Sequence, residues 1–129
     1  ERGVTVISDR GLVSSYAYQG GGRGCFDTVL DLAALTYGSA GAVYDLTLFL
    51  DVEPATGLAR ARARGELDRI ETEELAFFTK AREYFLDLWS DTAIAAYTKE
   101  AVLIDANRNQ KEVLESVRGA ILSNLFKGD

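Results

Sequence analysis

Apolar positions along the chain fall into three short runs separated by longer stretches of helical spacing. Residues 4–7 form a brief β-branched run, stopped by Ser8 and Asp9. Such a run reads as a strand buried on both faces of a parallel sheet. Residues 45–52 form a near-continuous apolar run with acidic residues at both ends, the clearest strand of the chain. Residues 101–104 form a third, ending at Asp105.

Between these runs the period lengthens. Phe26, Val29, Leu30, Ala33, Ala34 and Tyr37 predict a helix, ended by Gly38, Ser39 and Gly41. Pro54, the sole proline, suits the first position of a helix that carries Leu58. Leu75, Phe78, Ala81, Phe85 and Leu88 form one stripe on a long helix from about Glu71 to Trp89. A last helix starts near Asn109, with Glu112 three residues on as a capping-box pair, and Val113, Val117, Ile121 and Leu125 form its apolar face.

Strands alternating with helices predict an α/β fold with a parallel sheet in a single domain spanning residues 1–129. Three strands make a thin sheet, which suggests further strands beyond this sequence. The chain starts at Glu1 and holds no methionine, so it is expected to be a fragment or a processed form.

Composition narrows the chemistry. With 14 Lys+Arg against 20 Asp+Glu the net charge is −6, which argues against nucleic acid or an anionic membrane as partner. No apolar stretch approaches the ~18 residues of a membrane span, and a cytoplasmic location is expected. A single cysteine, Cys25, excludes an internal disulfide and a multi-thiolate zinc site. The absence of histidine removes Ser-His-Asp and Cys-His catalysis. Carboxylate, arginine and backbone chemistry remain.

In open α/β sheets, ligands bind beyond the carboxyl ends of the strands. Asp9 with Arg10, Asp51 and Asp105 occupy those ends. Hydrophobic-type positions followed by Asp9 resemble a Walker B arrangement supporting a nucleotide-bound Mg²⁺, although an aspartate closing a strand is more often a turn or helix cap. Arg10 beside it suits bidentate phosphate binding. Arg60, Arg62, Arg64 and Arg69 cluster across a helix end and a glycine break. They read either as a solvated face balanced by Glu66, Asp68 and Glu71, or as a lid closing over a polyphosphate. The loop Gly20–Gly24 does not follow a strand directly and lacks the G-x-x-x-x-G-K-[ST] pattern, so it reads as a flexible connector. Tyr16, Tyr18 and Gln19 line a base pocket or, for the tyrosines, simply pack. Cys25 has no basic partner and reads as an unreactive thiol.

Three segments in order resemble the bacterial thymidylate kinase family: DRGLVSSYAYQGGGRG (9–24), YDLTLFLDVEPATGLARARARGELDRIE (44–71) and LIDAN (103–107). The resemblance covers essentially the whole chain and is closest to the enterobacterial kind, whose lid carries the working arginines. It implies a P-loop NTPase-like three-layer α/β/α fold, here as its C-terminal two-thirds with a lid at about 60–71. It further implies transfer of the γ-phosphoryl group of ATP to dTMP with Mg²⁺, in a cytoplasmic homodimer for which the 26–37 helix is a candidate surface. Asp9 would lie near Mg²⁺ and the phosphates, and Arg10 would hold the dTMP phosphate. Ser15 would contact thymine, Tyr18 the deoxyribose, and Gln19 the nucleoside pocket. Arg60, Arg62, Arg64 and Arg69 would meet ATP phosphates, with Arg64 counted among the catalytic groups beside Asp9 and Arg10. Ala106 and Asn107 would border adenine.

Two positions depart from the family pattern. Gly11 replaces an aromatic or histidine, and Tyr44 replaces proline. The Walker A loop is not within this sequence, so these 129 residues alone are expected to lack kinase activity. A kinase for another nucleoside monophosphate and a non-catalytic α/β interaction module are the alternatives.

Overall fold

The computed structural model describes residues 3–37, 44–65, 74–90 and 97–126. Helix α1 (Leu12–Ser15) runs without a break into a π-helical segment (Tyr16–Gly22). The remaining elements are α2 (Phe26–Tyr37), β1 (Tyr44–Asp51), α3 (Pro54–Arg64), α4 (Leu75–Ser90), β2 (Thr98–Asp105) and α5 (Gln110–Leu125).

β1 and β2 pair in parallel from Tyr44 opposite Thr98 to Asp51 opposite Asp105, so two carboxylates end the sheet side by side. The crossover between them contains α3 and α4, as a parallel pair requires. Pro54 opens α3 at its first turn, and Gly65 closes it at φ 107°, a conformation open to glycine and strained for other residues. The capping box of α5 is complete: Asn109 accepts from the Glu112 N–H, and the Glu112 carboxylate accepts from the Asn109 N–H.

Among the described residues, two groups of buried apolar side chains bear on the site. Leu12, Tyr16, Val29 and Ala33 form one cluster, with Tyr97 against it. Phe49 of β1 is buried and takes edge-on contacts from Phe85 and Trp89 of α4, at 6.2 and 5.5 Å between ring centroids. The middle of the α4 stripe is therefore core, with Ala81 2% exposed, whereas Leu75 at its start is 48% exposed.

Two expectations are corrected. Residues 4–7 are not a buried strand: Val4, Val6 and Ile7 are 73%, 84% and 91% exposed. β-branched residues favour a strand only where a neighbour completes the ladder, and β1 and β2 are the only strands among the described residues. The glycine-rich stretch is not a flexible connector. Gly20 and Gly21 are buried in the π-helical segment, and a Cβ on Gly21 would lie 2.3 Å from the Tyr84 ring. The absent side chains let this backbone approach α4. The predicted helix end at Gly38, Ser39 and Gly41, the acidic residues Glu66 and Asp68, Arg69, and Glu71 as the predicted start of the long helix lie outside the described residues; α4 as described begins at Leu75.

Candidate active site

The segment before α1 has little secondary structure, yet it is fixed locally. The Ser8 hydroxyl donates to the Arg10 carbonyl at 2.7 Å, and Arg10 adopts φ 69°, uncommon for a residue with a Cβ. That turn puts the Arg10 guanidinium over the Tyr18 ring, 5.4 Å from its centroid, in a cation–π contact. Behind Tyr18 stand two rings of α4: Phe77 stacked at 6.0 Å and Phe85 edge-on at 5.6 Å. The π-helical segment sets this arrangement, since its close approach to α4 carries Tyr18 into the aromatic cradle. Single π turns of this kind are frequent at functional sites.

An open pocket of about 690 Å³ lies here, walled by the π-helical segment and α2. Arg10, Ser15, Tyr18 and Gln19 all line it, beside Gly11 and Cys25. Asp9 is exposed next to Arg10. Of the two tyrosines left undecided by sequence, Tyr18 faces the pocket while Tyr16 packs, 8% exposed. The Tyr16 hydroxyl shares a 3.3 Å hydrogen bond with that of Tyr97. Burial first, then that bond and the Tyr97 charge, push its phenol up to about 12.

A second cluster gathers at the carboxyl ends of the strands. Arg60 of α3 donates to three consecutive carbonyls, Ala106 at 2.6 Å, Asn107 at 2.8 Å and Arg108 at 3.0 Å. The Asn107 amide oxygen accepts from the Glu53 N–H at 2.8 Å, and the Ala106 N–H donates to the Asp51 carbonyl at 2.7 Å. Asn107 donates to the Asp105 carboxylate through both its backbone and its side-chain nitrogens. The backbone bond, then the side-chain one, hold that carboxyl below its ordinary range. The 106–108 loop is thus fastened to both strand ends and to the helix that carries the arginines. Arg62 and Arg64 are exposed in the last turn of α3, where positive charge complements the helix dipole.

One residue of this region was not singled out from the sequence. Arg82 of α4 grips Asp51 at 2.7 Å and 2.9 Å and reaches Glu53 at 2.6 Å. Its signal was present: it lies four residues after Phe78 and three before Phe85, a charge on an otherwise apolar stripe. No group of three His, Cys, Asp or Glu poised to hold a metal occurs among the described residues. Magnesium carried on nucleotide phosphates needs only one or two protein carboxylates, and Asp9 offers one.

These features define a class: a parallel α/β domain with its polar groups gathered beyond the carboxyl ends of the strands, the layout of nucleotide-binding α/β proteins. The sequence model of the family described as thymidylate kinase matches residues 1–117, and the chain belongs to that family, with its P-loop NTPase-type fold. The chain is 48% identical over 122 residues to a protein named thymidylate kinase from Idiomarina loihiensis. That match takes in 94% of the chain and 56% of the relative, so the chain spans little more than half the relative's length.

Proposed function

We propose that the protein to which this chain belongs transfers the γ-phosphoryl group of ATP to dTMP. The observation that carries this reading is the convergence of Arg10, Ser15, Tyr18 and Gln19 on one pocket. Those four residues are the ones the family resemblance ties to the acceptor nucleotide.

In this reading the Arg10 guanidinium pairs with the acceptor phosphate, a two-pronged match of planar donor to anion. Tyr18, backed by Phe77 and Phe85, is held against the sugar. Ser15 supplies a polar contact to the base, and Gln19 continues the nucleoside pocket. The donor lies toward the other cluster, with adenine bordered by Ala106 and Asn107. Arg60 secures that border through its three carbonyl contacts. Of the four arginines the resemblance ties to ATP phosphates, Arg60 is occupied by those carbonyls, and Arg62, Arg64 and Arg69 neutralise the phosphates as charge spreads in the transition state.

Asp9 is the residue that would hold Mg²⁺; when bound, the ion neutralises developing charge on the phosphates. The protein's own share is positioning and electrostatics, so a chain without histidine suffices. We further place the protein in the cytoplasm as a homodimer. Supporting the dimer, α2 carries Leu35, 81% exposed, on the side turned from its buried Val29 and Ala33.

The test is a phosphorylation assay of the full-length protein with dTMP, dUMP, dGMP and UMP as acceptors. A clear preference for dTMP is expected, and equal or better use of another acceptor overturns the assignment. Within that assay Arg64→Ala should lower kcat about 10³-fold. Unchanged turnover would remove Arg64 from the catalytic groups.

A further inference from the structure

We propose that Arg82 is a positioning residue that holds the acceptor pocket and the donor loop in one fixed relation; this rests on the phosphoryl-transfer reading above. Its three contacts are to carboxylates: Nε to Asp51 Oδ1 at 2.7 Å, Nη2 to Asp51 Oδ2 at 2.9 Å, and Nη1 to Glu53 Oε1 at 2.6 Å. The side chain is 28% exposed, so these charge-assisted bonds are partly shielded from water.

What matters is where each partner leads. Asp51 ends β1, and its carbonyl accepts from Ala106 N–H. Glu53 caps α3, and its N–H donates to the Asn107 side chain while its carbonyl accepts from Gly57. Both carboxylates therefore belong to residues whose backbones hold the 106–108 loop or start the arginine-bearing helix. On the other side, α4 carries Phe77 and Phe85, the rings behind Tyr18. It also carries Tyr84, against which Gly21 of the π-helical segment packs. A displacement of α4 relative to the strand end would thus change the distance between the two nucleotide subsites.

Only arginine meets the geometry. A planar fork satisfies both Asp51 oxygens and still reaches Glu53, whereas the compact ammonium of lysine does not reproduce the fork. In-line transfer is sensitive to this kind of spacing, because misplacement by ~1 Å can cost about 10²-fold in rate.

The experiment compares full-length wild type with Arg82→Lys and Asp51→Asn. KM for dTMP, KM for ATP and kcat are measured separately, with the thermal midpoint recorded for each protein. Positioning predicts that in both variants kcat falls about 10²-fold and KM rises for both nucleotides, at temperatures where the variants remain folded. A merely structural role lowers the amount of active enzyme and leaves both KM values in place; that result overturns the proposal. Should Arg82→Lys fail to fold, Asp51→Asn, which keeps the side-chain shape, decides by the same criterion. Wild type with no activity on dTMP overturns the functional reading and the proposal together, whereas active wild type with unchanged KM values in the variants overturns the proposal alone.

Discussion

The hydroxyl of Tyr44 stands where a side chain on Gly11 would begin: a Cβ built on Gly11 would lie 2.8 Å from Tyr44 Oη and 3.4 Å from Cζ. In the sequence both residues read as departures from the pattern it resembles, and they meet at one place in the structure. Gly11 has φ −174°, extended backbone that any residue adopts, so its small size serves space rather than conformation. Gly11→Ala should therefore cost up to about 1 kcal/mol through overpacking. Because the nearest atom is the hydroxyl oxygen, Tyr44→Phe should relieve most of that cost. A double-mutant cycle by urea unfolding measures the coupling; strict additivity of the two changes would refute the contact.

Ion pairs in this chain differ in what they contribute. Asp51 and Arg82 are 18% and 28% exposed and meet through two hydrogen bonds. Asp51→Ala leaves the guanidinium with Glu53 alone, and should cost about 1–3 kcal/mol in urea unfolding. The Lys99–Asp45 pair is shorter, at 2.6 Å, but 67% and 69% exposed. Asp45→Ala should change stability by less than ~0.5 kcal/mol, because water and salt screen that pair. Equal effects would mean that exposure does not rank these pairs.

Glycines divide in the same way. A Cβ on Gly21 would overlap Tyr84 Cδ2 and Cγ, so the whole side chain, and not only its tip, would have to shift. Gly21→Ala should destabilise by about 1–3 kcal/mol and should raise KM for dTMP, since the same segment carries Tyr18. Gly119 lies within α5 with nothing within 4 Å of its missing Cβ. There alanine should stabilise by about 0.5–1 kcal/mol through helix propensity. Thermal melts of the two variants should move in opposite directions, and a shared direction would contradict the packing described.

How much of this could be read without coordinates depended on how local the cause was. β1, β2 and the four long helices follow from periodicity, and the α5 cap from the Asn109–Glu112 spacing, because those signals lie within a few residues. The pocket-lining residues Arg10, Ser15, Tyr18 and Gln19 were readable from the motif in which they sit. Arg82 was not, since its partner Asp51 lies 31 residues away, and a charge on an apolar stripe does not name what it meets. The π-helical segment was missed for a related reason. Consecutive glycines signal flexibility unless a neighbouring surface needs their missing side chains, and here that surface is α4. The 4–7 run shows the converse: local strand propensity is not enough where no paired neighbour is described.

Tyr16 makes the core sensitive to alkali. Its phenol, ordinarily near 10.0, is raised to about 12 by burial and by the Tyr97 hydroxyl. The folded state therefore holds this proton more tightly than the unfolded chain does. The resulting stabilisation is fully present below pH 10 and is lost as pH rises through about 12. Tyr97 is the titratable neighbour that faces it, and Phe26 meets its ring edge-on at 5.2 Å. The difference in unfolding free energy between wild type and Tyr16→Phe should accordingly be flat to pH 10 and shrink above it. Tyr97→Phe should pull the upper limit of that window down without restoring the ordinary value, because burial is the larger cause. Ultraviolet titration of the phenolate follows the same group directly. A Tyr16 that ionises at its ordinary value in the folded protein would show that the phenol is open to water and the cluster is not closed.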